Sequence, residues 1–205
     1  MSTTKNHPYL RMSEAIDSGD CVNLSNILKS NKDMKEFRVP GFGTWLHYAA
    51  RYGPLNIVKY LIRENYDVNA SGVEGEKPIV LSSRRGDLEI SRFLLSEGAD
   101  LSTSSSLVNP LFAAVLGKSP EVVRLLLDHG IDARVRYEND WKDMDALAFA
   151  SMWGEMEIAE MIADHLANGD SETKRALLDA ALETAMANVE AVPPHEGCPD
   201  LAVDD

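Results

Sequence analysis

The feature that most constrains this chain is a segment that recurs at a nearly fixed interval. Thr44-Trp45-Leu46-His47-Tyr48-Ala49-Ala50-Arg51-Tyr52-Gly53 leads into Ile57-Val58, Leu61-Ile62 and Asn65-Tyr66-Asp67-Val68-Asn69-Ala70. The same frame returns from Lys77-Pro78-Ile79 through Gly86, Ile90-Ser91 and Leu94-Leu95 to Gly98-Ala99-Asp100-Leu101. It returns again from Asn109-Pro110-Leu111 through Ala113-Ala114-Val115, Val122-Val123 and Leu126-Leu127 to Gly130-Ile131-Asp132-Ala133. A fourth copy runs from Asp145-Ala146-Leu147 through Gly154 to Ile158-Ala159 and Ile162-Ala163, and a degenerate one precedes them all at Ala15-Ile16, Gly19, Leu24 and Ile27-Leu28. Anchored on positions 19, 53, 86, 118 and 154, the spacings are 34, 33, 32 and 36 residues. A period within about 20 to 50 residues implies stacked units, each buried by its neighbours.

The residue types within a copy predict two short antiparallel helices. Thr44, Asn109 and Asp145 can each accept a bond from a free N–H of a first turn. Pro78 and Pro110 suit the first helical position, where a missing donor costs nothing. Gly53, Gly86 and Gly154 are expected to take left-handed conformations that stop the first helix. Apolar pairs four to five and eight to nine residues beyond the glycine fall on one face of the second helix. That face cannot be covered within one copy, so the copies must stack.

The pattern resembles the ankyrin repeat, with its T-P-L-H-x-A-A-x-x-G core and G-A-D-V-N-A close, over about residues 12 to 166. Trp45 and Ala146 stand where that motif has proline, Lys118 takes a glycine position beside Gly117, and only His47 keeps the motif histidine. The expected fold is therefore an all-α ankyrin-repeat solenoid of helix-turn-helix units joined by hairpin-like loops. The expected organisation is an N-terminal extension over 1–11, a degenerate repeat over 12–40 and repeats at about 41–70, 74–103, 107–136 and 142–168. A capping helix over 171–191 follows, capped by Asp170 or Ser171, with Ala176, Leu177, Ala180, Ala181, Met186 and Val189 facing inward. Val192-Pro193-Pro194 ends it, because proline removes a donor and restricts the residue before it. Residues 192–205 are expected to form an acidic flexible tail.

Charge narrows the partners. The chain holds 20 Lys+Arg against 33 Asp+Glu, a formal net charge of −13. Residues 1–130 carry 15 of each sign, so the whole excess lies in 131–205, with 5 against 18. Binding a polyphosphate draws on cationic side chains, so nucleic acid and anionic membranes are not the expected partners. A basic protein surface suits this charge. No apolar run reaches the length of a spanning helix, and the start lacks the apolar core of a secretory signal. Cys21 and Cys198 have no cysteine neighbour and are expected as thiols in a cytoplasmic protein.

Nothing in the spacing points to catalysis, a metal or a cofactor. His7, His47, His129, His165 and His195 are scattered, with no i, i+4 pair and no ligand spacing. His47 suits a structural role in the repeat turn. Gly41-Phe42-Gly43 lacks the remaining residues of a phosphate loop and is expected as a hairpin tip. Asp140, Asp143 and Asp145 lack the glycine and terminal glutamate of a calcium loop. The chain is expected not to be an enzyme.

Binding is expected on the outer positions of the first helices and on the loops, a surface the ankyrin resemblance implies is concave and partner-facing. The residues so placed are Phe42, Tyr48, Arg51, Tyr52, Arg84, Arg85, Leu116, Met152 and Trp153, with Tyr137 and Trp141 on the longest loop. Aromatic residues and arginine dominate interface energies. A small acidic chain made of repeats is similar to ankyrin-type immunity proteins that bacteria encode beside toxins, which implies stoichiometric neutralisation of a toxin or effector with a basic surface. An adaptor or scaffold in a regulatory complex is the alternative, since one fold serves both.

Overall fold

The structure, a computed structural model, describes residues 7–137 and 143–191. It falls into two compact units, Met1–Val135 and Arg136–Asp205. Trp141 and the tail at 192–205 lie outside the described residues.

The first unit consists of four helical hairpins. They are α1 (Pro8–Asp17) with α2 (Cys21–Ser30), α3 (Trp45–Tyr52) with α4 (Leu55–Arg63), α5 (Pro78–Arg85) with α6 (Leu88–Ser96), and α7 (Pro110–Leu116) with α8 (Pro120–Asp128). First helices pack on first helices, α1 on α3 on α5 on α7, and second helices pack on second helices in the same order. The helix α1 opens at Pro8, inside the segment read as an extension, with the His7 ring accepting from the Tyr9 amide at 3.3 Å.

The capping logic holds in detail. Asn109 accepts from the Leu111 amide at 2.8 Å and prolines occupy the first turns of α5 and α7. Second helices are capped by Asp20, Asp87 and Ser119. The apolar pairs Ile57-Val58, Val122-Val123 and the residues Leu61, Ile90, Leu94 and Leu126 are all fully buried, which is the stacking that one copy alone could not supply. The tip at Gly41-Phe42-Gly43 is a tight reversal, closed by mutual bonds between Val39 and Gly43.

One glycine departs from expectation. Gly86 and Gly154 do adopt left-handed φ values of 75° and 73°, but Gly53 has φ −80° and ψ 163°. Pro54 follows it, and a residue before proline is pushed toward extended geometry. Gly53 is needed for space instead, since a Cβ there would meet Ile16 Cγ2 at 2.9 Å and Ala49 O at 3.0 Å. In the copy that begins at Asn109 the two roles separate. Lys118 takes the left-handed conformation at φ 51°, while a Cβ on Gly117 would lie 2.7 Å from the Ser83 carbonyl oxygen.

The second unit holds α9 (Ala146–Met152), α10 (Met156–Ala167) and α11 (Ser171–Ala191), with α11 packed on both of the others. Asp145 caps α9 through the Ala148 amide at 2.9 Å, and Asp170 caps α11 through the Thr173 amide at 3.0 Å. The face that α11 buries differs from the expected one. Ala181, Ala185 and Asn188 are buried and Leu177 is half-buried, whereas Ala176, Ala180, Met186 and Val189 are exposed. Small side chains let this helix sit close, and apolar residues occur all round it, so periodicity alone did not select the packed side.

Candidate protein-binding surface

The hairpin tip and helix α3 build the most distinctive surface of the first unit. Thr44 starts α3 and His47 locks that start. The Thr44 amide donates to His47 Nδ1 at 3.1 Å, the Thr44 hydroxyl lies 2.9 Å from the same nitrogen, and His47 Nε2 donates to the Glu76 carbonyl of the next copy at 3.1 Å. The ring is fully buried, and burial lowers its pKa, so it is neutral and carries its proton on Nε2. The close approach of two loops finishes the turn, because a Cβ on Gly72 would lie 2.3 Å from the Phe42 carbonyl oxygen.

With the turn fixed, the outward side chains of α3 meet the tip. Phe42 lies edge-on to Tyr48 with centroids 5.6 Å apart and to Tyr52 at 5.5 Å, and Tyr48 and Tyr52 are 5.1 Å apart. These separations suit mutual attraction of ring edges and faces. Tyr48 donates its hydroxyl to Asp17 Oδ2 at 3.2 Å, and its pKa is pushed up to about 12 by burial and by that carboxylate. The Arg51 guanidinium lies 5.8 Å from the centre of the Tyr52 ring, and Tyr52 is 50% exposed. Four residues named from sequence, Phe42, Tyr48, Arg51 and Tyr52, are thus brought together.

Beneath them the aromatic packing continues through residues that the sequence pattern passed over. Trp45 is fully buried, donates from Nε1 to the Met34 carbonyl at 3.0 Å, and contacts Tyr9 at 5.4 Å, Phe37 at 5.9 Å and Tyr48 at 5.9 Å between centroids. Tyr9 and Phe37 belong to no outer helical position of a repeat. Only their aromatic character, clustered on either side of the first copy, could have drawn notice.

The other candidates are placed differently. Arg84 is held by Glu76 at 2.9 Å, and Arg85 donates to the Gly53 carbonyl at 2.6 Å while lying 3.5 Å from Asp87. Arg85 therefore joins neighbouring copies while Arg84 is paired within its own, with about a third of each side chain exposed. Leu116 stands 43% exposed at the end of α7. In the second unit Trp153 is 50% exposed with its edge toward Phe149, and Met152 is half-buried. Tyr137, expected on an open loop, is buried instead. Its backbone pairs with Met144, and Arg136 braces the loop base through Asp143 at 2.8 Å and Asp145 at 3.3 Å. Among the described residues no group of His, Cys, Asp and Glu is placed to hold a metal ion. Nor is any helix among the described residues long and apolar enough to cross a membrane.

Comparison with known proteins agrees with this architecture. The family profile described as ankyrin repeats in three copies matches residues 13–105 and 46–137. The chain belongs to the ankyrin-repeat family, whose stacked helical hairpins form a protein–protein interaction module. It is 30% identical over 194 residues to the ankyrin repeat and KH domain-containing protein mask-1 of Caenorhabditis elegans, an alignment covering 79% of this chain and 7% of that protein. It is 44% identical over 54 residues to alpha-latrotoxin-Lh1a of Latrodectus hasselti, covering 26% and 4%. It is 29% identical over 131 residues to human transient receptor potential cation channel subfamily A member 1, covering 62% and 11%. The chain therefore spans only a small part of the length of these relatives.

Proposed function

We propose that the chain is a non-catalytic protein binder that grips one protein partner with Phe42, Tyr48 and Tyr52 as its anchor and acts by occupancy. The observation that carries this reading is the ring cluster, with centroids 5.1 to 5.6 Å apart and ending in a half-exposed tyrosine beside a guanidinium. Rings already held in place lose little freedom on binding, and such residues supply most of the energy of protein interfaces. Arg51, against the Tyr52 ring, extends the same surface, and Leu116, exposed at the end of α7, is assigned to the interface. Trp141, on the sequence alone, is assigned to the interface as well.

The finer reading is a cytoplasmic immunity protein that neutralises a toxin by covering it. Its support is the charge asymmetry, because a basic toxin surface would be drawn toward the acidic part of the chain beyond residue 130. An adaptor would use the same rings but bind several partners more weakly.

Affinity capture from native lysate of the source organism tests the proposal, using the intact chain beside a Phe42→Ala/Tyr52→Ala variant of equal thermal stability. One stoichiometric partner with nanomolar or tighter affinity is expected, and losing two anchors of about 1–2 kcal/mol each weakens it by about 30-fold or more. Toxicity of that partner when expressed alone establishes the immunity reading. Capture of no stoichiometric partner, or a variant that binds unchanged, defeats the assignment.

A further inference from the structure

The second unit carries an apolar surface that neither the repeat pattern nor the ring cluster accounts for. On α11, Leu182, Met186 and Val189 are 38%, 62% and 60% exposed. Together with Ala185 and with Ser151 and Met152 of α9 they line a groove of about 250 Å³. Large side chains left this open on a helix whose opposite face is packed mark an interaction surface more often than a folding need. Leu182 to Val189 extends about 10 Å along the helix axis, the space of two turns of an incoming helix.

Charge identifies what such a helix must carry. At about 100° per residue, Asp179 and Glu183 fall about 20° and 60° round from Met186, both on the side away from Ala185. Both are exposed, so one rim of the groove is acidic. Among the described residues of this unit, Arg136, Lys174 and Arg175 stand against eleven Asp and Glu. Two of the three cations are already engaged, Arg136 with Asp143 and Asp145, and Lys174 with Asp164. A second copy of this chain would bring the same acidic rim against itself.

We propose that this groove is a docking site for an amphipathic helix of another protein, one whose apolar side chains are flanked by Lys or Arg. Apolar residues at i, i+3, i+4 and i+7 of that helix enter between Met152 and the α11 side chains. The thioether side chains of Met152 and Met186 adjust to the shape of what enters. Its cations lie along Asp179 and Glu183, which speeds association and sets orientation. The proposal rests on the chain being a protein binder but makes no use of the Phe42, Tyr48 and Tyr52 cluster.

The test is a titration of the full chain, labelled with carbon-13 on its eight methionine methyl groups, with a synthetic 18-residue Leu/Lys amphipathic peptide and its Leu/Glu counterpart. The Met152 and Met186 signals are expected to move and saturate with the Leu/Lys peptide, while those of the buried Met12 and Met34 stay fixed. The Leu/Glu peptide is expected to move none. Met186→Asp/Val189→Asp alters only exposed positions and is expected to weaken the peptide at least tenfold with an unchanged circular dichroism spectrum. Asp179→Asn/Glu183→Gln is expected to weaken it severalfold and to flatten its salt dependence. Phe42→Ala/Tyr52→Ala is expected to leave peptide affinity unchanged, which separates this site from the ring cluster. Equal binding of both peptides, or full affinity in the Met186→Asp/Val189→Asp variant, overturns the proposal. So does self-association that Met186→Asp abolishes, which would make the occupant a second copy. Movement of the Met186 signal on truncation after Ala191 would assign the groove to residues 192–205 and overturn it equally.

Discussion

Replacing His47 probes how one copy is held to the next. The ring is fully buried, accepts the Thr44 amide at 3.1 Å and donates to the Glu76 carbonyl at 3.1 Å. His47→Ala leaves the N–H of the half-buried Thr44 without this partner, a cost of about 1–3 kcal/mol. The Glu76 carbonyl keeps the Gly72 amide at 2.7 Å, so losing its second donor costs about 1 kcal/mol. The space left by the ring adds about 1 kcal/mol, giving about 3–5 kcal/mol in all, a large part of a typical domain's ~5–15 kcal/mol. The same geometry predicts a pH effect. Burial lowers the folded pKa below the ordinary 6.5, so the unfolded chain binds the proton first as pH falls. Stability from this residue is complete above the unfolded value. It declines below that value by up to about 1.4 kcal/mol per pH unit, until the folded value is passed. Urea denaturation of the intact protein and of His47→Gln, compared between about pH 8 and about pH 5, isolates the effect, since carboxylate titrations cancel in the difference. The stability gap is expected to be constant near neutrality and to shrink on acidification. A gap that stays constant throughout would refute the neutral, Nε2-protonated assignment.

Two further substitutions test the packing between copies. The Ser83 hydroxyl is buried without a partner, whereas Ser82 shares a bond of 2.9 Å with Ser91. Ser83→Ala is therefore expected to raise the melting temperature, by up to about 1 kcal/mol of stability, and Ser82→Ala to lower it by a similar amount. Asn69 clamps the following copy with its amide, donating to the Gly98 carbonyl at 2.9 Å and accepting from the Asp100 amide at 2.7 Å. Asn69→Ala is expected to cost about 1–2 kcal/mol and to speed hydrogen exchange at Asp100, while amides of α1 and α2 change little.

What could be read from the residues divides along a physical line. Helix starts at Asn109, Asp145 and Asp170 and the left-handed Gly86 follow from chemistry within one turn, and the structure places them as expected. Gly53 departs from the left-handed expectation because Pro54 follows it and favours extended geometry. Tyr137 failed because a short antiparallel bridge at the loop base pairs it with Met144, and composition does not announce a two-residue bridge. The ring cluster was half legible. Phe42, Tyr48 and Tyr52 lie within one turn and one helix, but Tyr9 and Phe37 reach Trp45 from positions that the repeat motif does not specify.

The deeper reason lies in where the long-range bonds go. His47 reaches Glu76 across 29 residues, Asn69 reaches Gly98 across 29, Arg85 reaches Gly53 across 32, and Asn56 reaches Gly19 across 37. These separations scatter about the repeat period, so a contact distant in sequence is still a contact with the adjacent copy. That makes a solenoid legible, because finding the period also finds the partner of each side chain. Helix α11 has no such template. Its partners on α9 and α10 occur once, apolar residues are distributed all round it, and the face that packs is the one carrying the small side chains of Ala181 and Ala185. The face left over, with Leu182, Met186 and Val189, is free of the constraint that fixes every other helix of the chain. It is therefore where sequence can change for the sake of a partner at little cost to the fold.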